Sequence, residues 1–189
     1  MSNIYESCPI IENERYLMRF VSEEDTDDLS EVYSDKNALP FFNSDNCDGD
    51  NFYYADRGRM AEAIRFWHSS YEKGWFVRWS VTDKAVSKVI GTTELFHRKA
   101  EDAFNEAGVL RVDVRSDYER SEVLRELFAL IIPPSYDLFE CTQIITKIPV
   151  YAIERIDAAQ KYGFKRSDSY LIGTHDNYAY NGYWTISKE

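Results

Sequence analysis

The chain has 189 residues, with 22 Lys and Arg against 33 Asp and Glu, for a formal charge of −11. That length predicts a single domain over 1–189, able to bury a core without disulfide or metal staples. The acidic balance argues against a fold-wide grip on nucleic acid or on an anionic membrane, and no stretch of about 18 apolar residues could cross a bilayer.

Met1 to Glu12 has neither a basic n-region nor an apolar h-region, so no secretory signal is expected and the cytoplasm is the expected compartment. Cys8, Cys47 and Cys141 are an odd count at wide spacing, which reads as free thiols and not as a disulfide framework. His68, His97 and His175 form no H-E-x-x-H pattern and there is no C-x-x-C, so no metal site is expected. Aromatic residues make up 15% of the chain, so much of its packing must be aromatic.

Arg15 to Val21 alternates well enough for a first strand. Ser22 with Asp25 three residues on is a capping pattern, and Leu29, Val32 and Tyr33 give the helix that follows its buried stripe. Residues 43–56 form a polar loop rich in Asp and Asn. Placing Gly49 at the sixth position of an EF-hand loop puts Ser44 first and Ala55 twelfth, so a calcium reading fails and a solvated loop is expected. Asp56 caps a helix over about Arg57 to Lys73, with Met60, Ile64, Trp67 and Tyr71 on one face and Gly74 at its end. That face reads as core, with His68 at its boundary.

Strands follow at Trp75 to Val81, Val89 to Phe96 and Val109 to Val114, joined by polar connections. Gly91 hints at a bulge or a close backbone approach. Ser121 to Ile132 is a helix that Pro133 and Pro134 must stop or kink. Thr142 to Ile148 is a strand and Ala152 to Tyr162 a helix closed by Gly163. Phe164 to Ile172 and Tyr178 to Ser187 are the last strands, with a turn or bulge signal at Asn181-Gly182. The run Tyr178, Tyr180, Tyr183, Trp184 reads as strand packing more than as an interface.

Four segments in this order resemble the GCN5-related N-acetyltransferase (GNAT) family, in the flavour of its ribosomal-protein N-terminal acetyltransferase-like group. They are Glu14 to Arg19 before an acid-capped helix, Val89-Ile90-Gly91 with Leu95, Val112 to Tyr118, and Ala159 to Phe164. The resemblance covers about 14–187. It implies an α/β fold with a mostly antiparallel twisted sheet of about seven strands, flanked by about four helices. It also implies acyl transfer from acetyl-CoA to a primary amine of a small molecule or a protein N-terminus.

In that family a splayed strand pairs its backbone with the pantetheine arm, which here falls on Val112, Asp113 and Val114. The pyrophosphate sits on the next helix N-terminus, here Arg120, Ser121, Glu122 and Val123. The family pattern there, Q/R-x-x-G-x-G/A, reads Glu119-Arg120-Ser121-Glu122-Val123-Leu124 in this chain. Glu122 puts a negative charge where a diphosphate would bind; unit charges ~4 Å apart repel by ~4 kcal/mol at an effective dielectric of ~20. Arg120 could compensate, or Glu122 could simply sit in a first helical turn, where acids are favoured.

The family's Asn and Tyr on the later helix are absent: Ala152 stands at the Asn position, and Ala159 or Gln160 at the Tyr position. Tyr162 reads as core, and Tyr151 is kept as the candidate acid. Asp113 and Glu94 are the candidate general bases, against a plainer reading as surface or cross-strand carboxylates. An acidic cleft would suit a cationic small-molecule or peptide amine and would not suit anionic CoA. Neither nucleic acid nor membrane is expected as a partner, and a homodimer is left open. Two functions follow: an acyl-CoA-dependent N-acyltransferase with an unusual loop, or a GNAT-fold module that has lost CoA and binds a ligand or a protein.

Overall fold

A computed structural model describes residues 3–188. Residues 1, 2 and 189, which belong to the single-domain expectation and in part to the leader reading, lie outside the described residues. The opening of the chain adds a strand that its sequence pattern does not mark, β1 (Ile11–Glu12), beside β2 (Tyr16–Phe20). Ser22 then caps as its spacing predicts: its side chain accepts from the Glu24 N–H while the Asp25 carboxylate accepts from the Ser22 N–H. A 3₁₀ turn leads from there into α1 (Thr26–Tyr33).

Asp56 accepts from the Arg59 N–H to start α2 (Arg57–Glu72), and Gly74 leaves it at φ +71°. Three long strands follow, β3 (Val77–Asp83), β4 (Lys88–His97) and β5 (Gly108–Val114). Trp75 lies before β3 and is half exposed, where its alternation with Val77 predicts a strand residue. At Gly91 both sequence readings hold. The register slips between Val81 and Thr82, leaving Ile90 as the extra residue of a bulge. A Cβ on Gly91 would also sit 2.1 Å from the Asp113 carbonyl oxygen.

The next helix, α3 (Ser121–Leu138), does not stop at its prolines. Pro133 and Pro134 leave the carbonyls of Ala129 and Leu130 without their usual helical N–H. The apolar face outweighs that loss, with Ile131, Ile132 and Tyr136 buried on either side of the break. β6 (Gln143–Lys147) and α4 (Ile153–Tyr162) come next. The two long final strands expected from the sequence are instead four: β7 (Lys165–Arg166), β8 (Leu171–Ile172), β9 (Ala179–Tyr180) and β10 (Tyr183–Ser187). Gly182, at φ +83°, separates β9 from β10. The terminal aromatic run divides accordingly: Tyr183 and Trp184 are buried, whereas Tyr178 is exposed.

Eight strands form one sheet in the order β1-β2-β3-β4-β5-β6-β10-β7, one more than expected, with β8 and β9 as a separate hairpin. Every neighbouring pair in the large sheet is antiparallel except β5 and β6. The alternation of β3, β4 and β5 sorts their side chains onto two faces. One face offers Val77, Trp79, Leu95, Leu110, Val112 and Val114 to the apolar sides of α3 and α4. The other offers Arg78, Ser80, Thr92, Glu94, Arg111 and Asp113, all buried, toward α1, α2 and the 43–56 segment. That segment is not a solvated loop: Asn43, Asp45, Phe52 and Tyr54 are buried in it, because it covers this polar face.

Candidate functional site

The polar face is held together by ions taken out of water, which is tolerable only where each finds partners. Glu94 accepts from Arg78 through one oxygen and from Arg111 Nη1 through the other, the latter at 2.5 Å. Arg78 Nη1 donates to the Tyr33 hydroxyl at 2.8 Å, to Thr92 Oγ1 at 3.0 Å and to Asp113 Oδ2 at 3.2 Å. Burial alone would raise Glu94, but the two guanidiniums outweigh it and hold its carboxyl below the usual range. Burial pushes Asp113 the other way, above the usual range, against the opposing pull of Arg78 and the Tyr33 hydroxyl. These carboxylates are not surface groups: Glu94 is 2% exposed and Asp113 is 1% exposed.

A cavity of about 920 Å³ opens above this floor. Glu94, Arg78 and Arg111 line its base, and Phe52, Tyr54, Trp67, Phe76 and Phe96 are among its walls. The Arg78 guanidinium lies 4.2 Å from the Trp67 ring centre and 5.4 Å from that of Phe52. Trp67 thus belongs to the core stripe of α2, as its spacing predicts, and also faces the cavity.

On the other side of β5 the sheet splays. β5 and β6 pair only through Gly108 with Ile144 and Val109 with Ile145, so the backbone from Leu110 to Val114 has no strand beside it on that edge. This is the opening the resemblance implies, and charged groups of the chain pair with one another around it. Arg155, 3% exposed, reaches from α4 and donates through Nε and Nη2 to both oxygens of Glu119, at 2.7 and 2.6 Å. Its Nη1 donates to the Phe41 carbonyl at 3.2 Å.

Residues 40–45 cross the mouth of the splay. The Pro40 carbonyl accepts from the Tyr151 hydroxyl at 2.7 Å, and the Asp45 carbonyl accepts from Arg111 Nη2 at 2.9 Å. The Asp45 carboxylate accepts from Lys147 Nζ at 2.5 and 2.6 Å and from the Tyr183 hydroxyl at 3.1 Å.

At the N-terminus of α3 the Ser121 N–H donates to Glu154 Oε2 at 2.8 Å, and its hydroxyl donates to Asp157. Two carboxylates from α4 therefore stand where the fold offers positive dipole and free N–H groups to an anion. Glu122 is exposed in the first turn of α3 and Arg120 is exposed beside it. Val112, Val114 and Val123 are buried in the apolar core. Acyl-CoA does not fit these residues. Glu119, Glu122, Glu154 and Asp157 gather at the α3 N-terminus, where the resemblance puts its diphosphate, and two of them already take the Ser121 N–H and hydroxyl.

Of the residues singled out from sequence, Glu94 and Asp113 meet on one face with Arg78 between them. Tyr151 is 58% exposed and packs its ring 6.1 Å from that of Phe41, away from both carboxylates' hydrogen-bond partners. Sequence reasoning missed Arg155, Glu154, Asp157, Asp45 and the two buried arginines. One signal existed for Arg155: it interrupts a series of small apolar residues, Ala152 just before α4 and Ala158 and Ala159 within it, all of them buried. Arg78 and Arg111 likewise alternate with residues that point into the apolar core.

The sheet order, the splay between the one parallel pair and the helix that follows it define the class: the chain has the GNAT fold. No family model matches the sequence, and no curated protein matches it. Solved structures do match over nearly the whole chain. An acetyltransferase of the GNAT family from Bacillus anthracis is 12% identical, with 95% of this chain and 98% of that one covered and a TM-score of 0.68. The ribosomal-protein-S5-alanine acetyltransferase from Vibrio fischeri is 16% identical, with coverage of 95% and 96% and a TM-score of 0.67. The microcin C7 self-immunity acetyltransferase, solved with acetyl-CoA and AMP, is 9% identical, with coverage of 93% and 94% and a TM-score of 0.69. Among the described residues no helix is long and apolar enough to cross a membrane.

Proposed function

We propose that this chain is a GNAT-fold binding module that does not hold acyl-CoA in the groove used by the fold, and that takes a small molecule into its aromatic cavity. The observation that supports the reading is the pairing beside that groove: Arg155 with all three guanidinium nitrogens bonded, and Ser121 bonded to Glu154 and Asp157. Anionic CoA would have to displace two carboxylates and then face Glu122 and Glu119. Extracting Arg155 from Glu119 would leave a buried charge without its partner, which costs several kcal/mol.

The second reading is an N-acyltransferase that uses acetyl-CoA and a primary amine, and the acetyltransferase neighbours support it. On that reading Glu94 or Asp113 takes the proton of the amine and Tyr151 serves the leaving thiolate. Glu94 is a weak base as held, because two guanidiniums stabilise its ionised form.

Thermal unfolding with acetyl-CoA, and separately with free CoA, separates the two. A ligand at 100 times its dissociation constant adds about 2.7 kcal/mol of stability, which moves the midpoint by several degrees at this chain length. The binding-module reading expects no shift up to millimolar ligand. A saturable shift would overturn it and restore the acyltransferase.

A further inference from the structure

We infer that the aromatic cavity takes a small carboxylate carried on an aromatic body. The inference rests on the binding-module reading above and supplies its ligand class.

The floor of the cavity is short of acceptors. Arg78 Nε and Arg111 Nε are buried and have no acceptor among the described residues. Both side chains line the cavity, at 1% and 9% exposure. A buried donor without an acceptor is costly, and structures keep few of them without a reason. The floor has no matching surplus of acceptors, since each oxygen of Glu94 already takes a guanidinium. Among the buried carboxylate oxygens of the described residues only Asp113 Oδ1 lacks a donor, and Asp113 lies outside the cavity lining. A ligand oxygen, and a charged one above all, is what two such N–H groups select.

The walls set the rest of the molecule. Trp67, Phe52 and Phe76 stand around Arg78, and the Phe96 ring centre is 5.5 Å from the Arg111 guanidinium. A flat ring can lie among these faces while its carboxylate reaches the floor. The volume of about 920 Å³ is ample for it. An amine would instead bring a third cation beside two guanidiniums. Of the two acids at the walls, Asp50 is already engaged by the Tyr54 hydroxyl at 2.9 Å and by Arg59 at 3.5 Å, and Asp48 is exposed to solvent.

Quenching of tryptophan fluorescence, backed by thermal unfolding at fixed ionic strength, reads this directly with three probes of one shape. These are 3-phenylpropionate, 3-phenylpropionamide and phenethylamine, with acetyl-CoA measured in parallel. Saturable binding of the carboxylate, with the amide at least tenfold weaker and the amine weaker still, is the expected result. Arg111→Lys keeps the charge but removes the Nε–H, and should cut the preference for carboxylate over amide about tenfold. If that variant does not fold, the three probes on the unaltered chain still decide.

An amide that binds as well as the carboxylate, or an amine that binds better, overturns the inference. So does the lack of a saturable carboxylate signal up to about 10 mM. An acetyl-CoA shift would strike the binding-module reading, while the carboxylate-to-amide ratio would still settle the ligand class.

Discussion

The two clefts beside β5 use the same chemistry to opposite ends. Each is built on buried arginine and carboxylate. Beside the splay, Arg155 spends Nε, Nη1 and Nη2 on Glu119 and the Phe41 carbonyl. On the other face Arg78 and Arg111 spend only their terminal nitrogens, and a cavity of about 920 Å³ lies over them. A buried guanidinium with every nitrogen bonded is fully engaged. One with a nitrogen left over marks a place for something else. The identity of the residues does not separate these outcomes; the completeness of their pairing does.

The strongest contrast should appear when one carboxylate is removed from each cleft. Glu119→Ala leaves Arg155 with a single carbonyl partner in a dry site. It should cost about 3–5 kcal/mol, or roughly 10 °C in midpoint. Replacing the pair together, Glu119→Leu with Arg155→Met, should recover most of that loss, since a hydrophobic pair of similar volume often replaces a buried ion pair without penalty. If the single and double variants lose equal stability, Arg155 is not held there by Glu119.

Glu94→Gln on the cavity side should cost less, about 2–3 kcal/mol, because Arg78 keeps Asp113 as a second acid partner. It should also change the acid limb of the stability curve. Glu94 titrates below its ordinary value of 4.5 in the folded chain. Its stabilisation is therefore full above that value and fades as pH falls through the depressed one. Denaturant midpoints between pH 3 and 7 would show a shallower acid decline in the variant, and an unchanged decline would count against the pairing.

Asp113 has the opposite sign. Its folded value lies above the ordinary 3.8, so the stability it contributes is full below that and is lost as pH rises through the raised value. Asp113→Asn should raise the midpoint at pH 7 and leave it nearly unchanged near pH 3. A loss at pH 7 would show that the ionised carboxylate is worth more to Arg78 than its burial costs.

The smallest effect belongs to the helix end. Glu154→Gln weakens the bond from the Ser121 N–H and should lower the midpoint by about 2 °C, the size of one helix-cap contact in a chain of this length. It should not create CoA binding, because Glu119, Glu122 and Asp157 still crowd that helix end. If acetyl-CoA then binds, Glu154 alone was the barrier.

Local chemistry was legible in the sequence wherever neighbours decide it. The Ser22 and Asp56 caps, the Gly74 and Gly163 helix ends and the close approach at Gly91 all follow from spacings of a few residues. The splay could be expected only through the resemblance, and its contents could not. Arg155 meets Glu119 from 36 residues away and Phe41 from 114, and no periodicity encodes such a meeting. The polar face was half legible. The alternation of Val109 to Val114 puts Arg111 and Asp113 on one side of their strand, but burial beneath the 43–56 segment depends on Phe52 and Tyr54 turning inward. A stretch so rich in Asp and Asn gives that little warning. The prolines of α3 teach the converse: a strong local rule yielded to the apolar face that α3 buries on both sides of the break.

The sheet ends on very short strands. β1 and β7 are two residues long, and β7 consists of Lys165 and Arg166, both exposed. An unpaired strand edge is a template on which another chain can crystallise its own backbone, and long apolar edges seed fibres. Here an incoming strand meets two residues and two positive charges before the register runs out. The two outer edges of the eight-stranded sheet thereby offer little backbone on which it could grow sideways.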